Sequence, residues 1–266
     1  MKASSVHSSK HSGSMLFRTV VLPATSTGTP LPPSTKGERT RLKLLQSALD
    51  TFRHHSFLAA RVTDICQAAG ISQGAFYIYF RDKEHIATEL MRLLLERLTD
   101  HVLHAPHSDD PFEAILESNR RYAEFFNQDD QFNRAVLQMF DALPEVKALS
   151  SKVNQAVAER VSESLRRRIP HSERYRKERV ALAYAMFGMI DALYIGYFSS
   201  EPGPVRELFD SSAELVEFAS FVWYRALFGC NPPARRVSSK LLKVLDGFVM
   251  APAMPARGAL RSIPTK

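Results

Sequence analysis

Residues 61–83 read RVTDICQAAGISQGAFYIYFRDK. Val62, Ile65, Ala68 and Ala69 recur at helical spacing, which predicts a short helix with one apolar face. Gly70 follows at once, and glycine ends a helix in the left-handed region without steric cost. Ser72 stands where a hydroxyl caps the next helix. In that second segment Phe76 and Phe80 lie four apart and share a face, while Ala75, Tyr77 and Tyr79 point elsewhere. Two short helices across a tight glycine turn, the second with polar and aromatic groups turned out, make a helix-turn-helix. Its second helix is sized for the major groove of double-stranded DNA, where its first residues meet base edges.

Side-chain chemistry assigns the expected contacts. Gln73 can pair bidentately with adenine, and Ala75 can touch a thymine methyl. Tyr77 and Tyr79 are expected on phosphates, with half-buried packing as the alternative. Gly74 lets the helix start come close to the DNA backbone. Lys83, one turn beyond, and Arg61, with Thr63 beside it, are expected on phosphate oxygens. Ser72 can cap and contact at once, because helix N-termini already favour phosphate.

The stretch AAGISQGAFYIYFRDKEHI resembles the DNA-binding domain of the tetracycline-repressor (TetR) family of bacterial regulators. The resemblance rests on Ile65, Ala69, Gly70, Ser72, Gly74, Phe76, Tyr77, Tyr79, Phe80 and Lys83, and on the preceding ERTRLKLLQSALDTF with Leu44, Leu45, Ala48 and Phe52 turned inward. It covers about residues 37–97; beyond them only length, helicity and the closing WYRALFG agree. Two positions depart from the family pattern. Ser56 stands where a glycine is usual after the first helix, and Ala60 where a threonine usually caps the second. A missing cap costs on the order of 1 kcal/mol, so packing has to hold that helix start. The resemblance implies an operator-binding homodimer whose last two helices pair with their copies. Gly188 and Gly196 would permit that close approach, with Phe218 and Val222 beside them.

Charge alone is poor evidence for a nucleic-acid partner here. The chain has 266 residues, 45% of them hydrophobic, and a net charge of +7. Residues 1–36 carry Lys2, Lys10, Arg18 and Lys36 with no acid, and residues 231–266 carry seven basic residues against Asp246. The tails therefore hold +4 and +6, and residues 37–230 are left at −3. Tail cations add only a non-specific, salt-dependent attraction. Cys66 and Cys230 are too few for a disulfide framework or a zinc site, and suit a reducing cytoplasm. The expected location is the bacterial cytoplasm, on the nucleoid. MLFRTVVLPA near the start is interrupted by Arg18, unlike a signal peptide, and Met15 is an alternative start. No nucleophile elbow, phosphate-binding glycine loop or HExxH occurs, and His54–His55 and His101/His104 lack a third metal ligand. No catalytic residue, cofactor, metal or membrane partner is expected.

Helical periodicity continues to the end, so the expected fold is all-α. A tail (1–36) and a three-helix DNA-binding domain (37–97, helix-turn-helix 61–80) lead into a larger helical effector-binding and dimerisation domain (98–230) and a basic tail (231–266). Helices are expected at about 36–54, 83–103, 111–127, 131–143, 144–168, 172–199 and 208–228, with a last amphipathic one in VSSKLLKVLDGFV. The apolar run VALAYAMFGMIDALYIGYF reads as a buried helix, too short and too marked by Asp191 to span a membrane. Its aromatic residues are either core or the lining of a cavity for a small apolar effector. The candidates are Tyr122, Phe126, Phe132, Met139, Phe140, Tyr184, Phe187, Asp191, Tyr194 and Trp223. Asp191 is costly in such a helix unless it is paired or faces a wet pocket, so it belongs either to the pocket or opposite an arginine across the dimer. Together these features predict a DNA-binding regulator, a repressor released by an apolar ligand. The alternatives are a ligand-independent regulator or activator, or a sequestering protein or enzyme on the same fold.

Overall fold

The computed structural model describes residues 35–103, 108–168, 173–199 and 203–248. The expected tails beyond 35 and 248, and His104, lie outside the described residues. The chain runs through α1 (Lys36–His55), α2 (Val62–Ala69), α3 (Gln73–Tyr79), α4 (Lys83–Leu103), α5 (Pro111–Phe126), α6 (Asp130–Ala142), α7 (Pro144–Arg168), α8 (Arg176–Phe198), α9 (Pro204–Glu207), α10 (Ser212–Phe228) and α11 (Ser239–Phe248). A 3₁₀ turn, Ala234–Arg236, precedes α11, and no strand occurs among the described residues.

Local chemistry sets these boundaries. The Thr35 hydroxyl accepts from Glu38 N–H while the Glu38 carboxylate accepts from Thr35 N–H, a capping box that starts α1 inside the expected tail. Asp110, Asp129 and Ser211 cap α5, α6 and α10, and Asp82 accepts from His85 N–H in the first turn of α4. One expected helix starts late. The helix expected at 208–228 begins at Ser212, after the Ser211 cap, and the separate four-residue α9 precedes it.

The first apolar core runs from Leu44, Leu45, Leu49 and Phe52 of α1 through Ile65, Phe76 and Phe80 to Leu90 and Leu94 of α4. It does not stop at the expected domain boundary. Phe132, Ala135, Val136 and Met139 of α6 and Val146 of α7 belong to it, and Phe140 packs against it. Phe132 and Met139, expected to line a cavity, are buried in this core, and Phe140 packs on its edge. A second core joins α5, α8 and α10 through Phe126, Ile190, Tyr194 and Leu215, and a third seats Val237 and Leu241 on Phe112 and Phe221. Two buried polar pairs tie helices together. Arg179 Nε on α8 donates to the Ser162 carbonyl on α7 at 3.0 Å, and Asn119 Nδ2 on α5 donates to Ser220 Oγ on α10 at 3.0 Å.

Helix α8 corrects a second expectation. At 23 residues, with a mean hydropathy of 1.5 in its best window, it is long and apolar enough to cross a bilayer by length and composition. Here it packs on α7, α5 and α10. Only 22% of that window is buried within the chain, so α8 is not the enclosed helix expected from its sequence. Ala181, Tyr184, Ala185, Gly188, Ala192 and Ile195 form an exposed stripe along it.

Candidate nucleic-acid interface

The turn between α2 and α3 is built as its sequence suggests. Gly70 sits at φ +59°, its N–H donates to the Gln67 carbonyl, and Ile71 N–H reaches back to the Cys66 carbonyl at 3.0 Å. This pair of bonds is a Schellman closure, and it turns the chain at once. Ser72 Oγ then accepts from Ala75 N–H at 3.2 Å and starts α3. Phe76 and Phe80 are fully buried with rings 5.7 Å apart, anchoring α3 on α1 and α4.

Burial of that edge leaves Gln73, Gly74, Tyr77 and Ile78 as the outward face of α3. Tyr77 is 55% exposed and Ile78 77%. Ala75 is half-buried. Tyr79 is also half-buried, packed on the first core with its hydroxyl toward Gly37 at the start of α1. A Cβ at Gly74 would meet nothing within 4 Å, so the glycine leaves open room on the outward face. Arg61 and Thr63 are exposed at the start of α2. The helix start there is held without a threonine cap: Asp64 accepts from Arg61 N–H at 2.9 Å, and Ala60 is buried beneath it. Sequence reasoning missed Ile78, which reads as core by residue type, and Lys43, whose exposed ammonium lies beside Gly70. Ala68, expected on the apolar face of α2, is exposed.

Lys83 does not point away from the protein. Its ammonium donates to the Phe57 carbonyl at 3.0 Å and the Leu58 carbonyl at 3.4 Å, and lies 4.7 Å from the centre of the Phe57 ring. The expected free phosphate contact is thus replaced by a clamp on the loop that leads into α2. From the other side, Gln138 Oε1 of α6 accepts from Phe57 N–H at 2.9 Å. Ser56, just before it, has φ +66° and ψ 154°, a conformation nearly reserved for glycine.

In the second domain the expected pocket residues separate into three sets. Tyr122, Phe126 and Tyr194 fill space with one another: Tyr122 and Tyr194 stack at 5.5 Å, and Phe126 meets the edges of both. The Tyr122 hydroxyl donates to the Asp191 carboxylate. Asp191 therefore has its partner within the chain, and neither a pocket nor an arginine is needed to explain it. Burial pushes the Asp191 carboxyl up and the Tyr122 bond opposes that; burial, then the Asp191 charge, pushes the Tyr122 phenol well up. Tyr194 donates to the Asn119 carbonyl at 3.1 Å. Phe187 and Trp223 pair at 5.5 Å, and the buried indole N–H of Trp223 has no partner among the described residues. Tyr184 lies on the exposed stripe of α8. A cavity of about 10 Å³ is lined by Phe126, Asn133, Val136, Leu137, Ile195, Phe198 and Ser199, room for no more than one water. Of the residues expected between copies, Gly188 is exposed with open space around it. Gly196 is a correction: a Cβ there would meet Val205 at 2.9 Å, so it admits α9 of the same chain. Phe218 and Val222 are half-buried against the second and third cores. No group of three metal-ligating side chains occurs among the described residues.

Fold and outward face define an all-helical, helix-turn-helix DNA-binding protein. Residues 44–90 match the model of the tetR family of bacterial regulatory proteins. The chain is 27% identical over 163 residues to the helix-turn-helix-type transcriptional regulator YdgC of Bacillus subtilis, covering 59% of this chain and 80% of that one. It is 32% identical over 87 residues to the probable acrEF/envCD operon repressor of Escherichia coli K12, spanning 31% of this chain and only 40% of that protein. A solved TetR-family regulator from Streptomyces coelicolor shares the fold at 18% identity, with a TM-score of 0.59 over 79% of this chain and 97% of the other. Residues 44–90 thus resemble the DNA-binding domain of the tetR family, and over the larger part of its length the chain is similar to a transcriptional regulator.

Proposed function

We propose that the chain is a homodimeric repressor that holds two copies of α3 at operator spacing and releases DNA when a small apolar ligand enters its second domain. The outward face of α3, with Gln73, Tyr77 and Ile78 exposed on a helix anchored by Phe76 and Phe80, carries this reading. One such helix makes a small contact, and a two-fold dimer presents two, one DNA turn or a multiple apart. The poorly covered stripe of α8 supports a second copy seated there, with Gly188 allowing close approach. Repression follows the name of the E. coli relative. The site of action is the bacterial cytoplasm, where the chromosome is.

Helix α6 is well placed to transmit a change from the second domain to the head. Asn133, Val136 and Leu137 line the small cavity, while Phe132, Met139 and Gln138 of the same helix grip the DNA-binding head. A ligand that widened the cavity would push on α6 and through Gln138 on the Phe57 loop. Coupling of about 1–3 kcal/mol would weaken operator binding roughly 5–150-fold. The tight packing of Tyr122, Phe126 and Tyr194 favours a second reading, a regulator of the same fold that needs no ligand.

Selection of bound DNA from a random pool, at fixed salt, tests the first half, and a recovered palindrome is expected. With that operator as probe, apolar compounds are screened for release, and Gln138→Ala is expected to blunt the release. A pool without a preferred sequence sinks the regulator reading. Compounds that bind the second domain and leave operator affinity unchanged leave the ligand-free regulator.

A further inference from the structure

Ile78 is the most exposed large apolar side chain of the chain's described residues, at 77%. Counting about 100° per residue, it points some 200° away from the buried Phe76, directly out of the head. A β-branched residue is a mediocre choice for a seven-residue helix, and an isoleucine left in water gains nothing from folding. Helical side chains lean back over the preceding turn, so Ile78 covers the turn that begins at Gly74. There an added Cβ would meet nothing within 4 Å. Isoleucine and glycine together therefore make an apolar ledge on the face that carries Gln73 and Tyr77.

We infer that Ile78 is a specificity-determining residue that reads a thymine by packing on its C5-methyl group. The inference rests on the DNA-binding reading above and adds a base to it. An isoleucine side chain has no donor or acceptor, so it cannot distinguish base edges by hydrogen bonds. The thymine methyl is the apolar group that the major groove offers on a base edge. Ala75, the residue expected to make that contact from the sequence, is half-buried beside the Ser72 cap.

The test uses the full chain and the operator recovered from a random pool. Each thymine is replaced in turn by deoxyuridine, which removes the methyl and keeps the pairing edge. Wild type is expected to lose about fourfold in affinity at one position per half-site, the equivalent of roughly 0.8 kcal/mol for one buried carbon. Ile78→Ala is expected to bind the thymine and deoxyuridine operators alike, with an unchanged melting temperature because the side chain is exposed. Wild type indifferent to methyl removal everywhere would overturn the inference, as would Ile78→Ala keeping the full methyl effect. Both outcomes leave sequence-specific binding intact. A pool without a preferred sequence would instead overturn the DNA-binding reading and this inference together.

Discussion

At the scale of single residues, the loop between α1 and α2 concentrates the departures from expectation. Ser56 holds a backbone conformation that costs about 1–3 kcal/mol for a residue with a side chain. Its hydroxyl recovers little, accepting from Ala59 N–H at 3.4 Å. Ser56→Gly is expected to raise the melting temperature by about 2–4 °C at fixed protein concentration, after the greater freedom of glycine in the unfolded chain is discounted. No rise would mean the surrounding contacts, not φ, set the local energy. Lys83 gives a sharper contrast. As a clamp on two carbonyls and a ring, its loss is expected to destabilise the fold by about 1–2 kcal/mol and to weaken all DNA sequences alike. If Lys83→Ala leaves melting untouched and flattens the salt dependence by about one unit, the lysine is a phosphate ligand after all.

Elements show what was legible and why. The four-residue spacing of Phe76 and Phe80, the glycine at 70 and the serine at 72 each fix a local geometry that needs no distant partner, so α2, the turn and α3 follow from the letters. Ile78 escaped because residue type says core and only the three-dimensional face says surface. That Phe132 and Met139 join the core of the DNA-binding head was not legible, because a periodic apolar face says that a helix is buried, not against what. Gly196 was assigned to a partner chain because a glycine announces close approach without naming the neighbour, which is Val205. Between elements, α1 and α4 are joined by Arg41 and Glu89, with Arg92 on the same carboxylate. Hydrogen bonding to Arg92 and then to Arg41 outweighs burial and holds the Glu89 carboxyl down at about 2. A depressed carboxyl contributes stability that is complete above its unfolded value near 4.5 and is lost as pH falls toward about 2. Glu89→Gln is expected to be less stable at neutral pH and to flatten the stability profile across that acid window. An unchanged profile in a pH series of denaturant melts would remove the ion pair from the account.

For the whole molecule, the unanswered surface is α8. A helix with the hydropathy of a membrane segment, most of it uncovered in one chain, needs a partner of like character. Gly188→Arg tests whether a second copy supplies it. The change favours the helix by propensity, and an added Cβ there meets nothing within 4 Å, so the monomer should fold. Sedimentation is expected to show a monomer, with operator affinity falling as the second recognition helix is lost. A dimer of unchanged affinity would put the interface elsewhere. Asp191, one turn beyond Gly188, is already engaged by Tyr122, so one of its oxygens has a partner within the chain.

The continuity of the first core through α6 into the start of α7 bears on modularity. Regulators with a head of this type invite exchange, one DNA-reading module grafted onto another sensing body. Here a graft cut at residue 97 would strip Phe132, Met139 and Val146 from the core they share with Phe52 and Leu49 and replace them with whatever the new body offers. A cut after Val146 carries the whole packed unit across. Chimeras joined at the later point are expected to express as soluble dimers that keep the parent operator, and those joined at the earlier one to aggregate. Head and body in this chain are one inheritance, and new specificities are more readily made by changing Gln73, Tyr77 and Ile78 in place than by swapping the module that bears them.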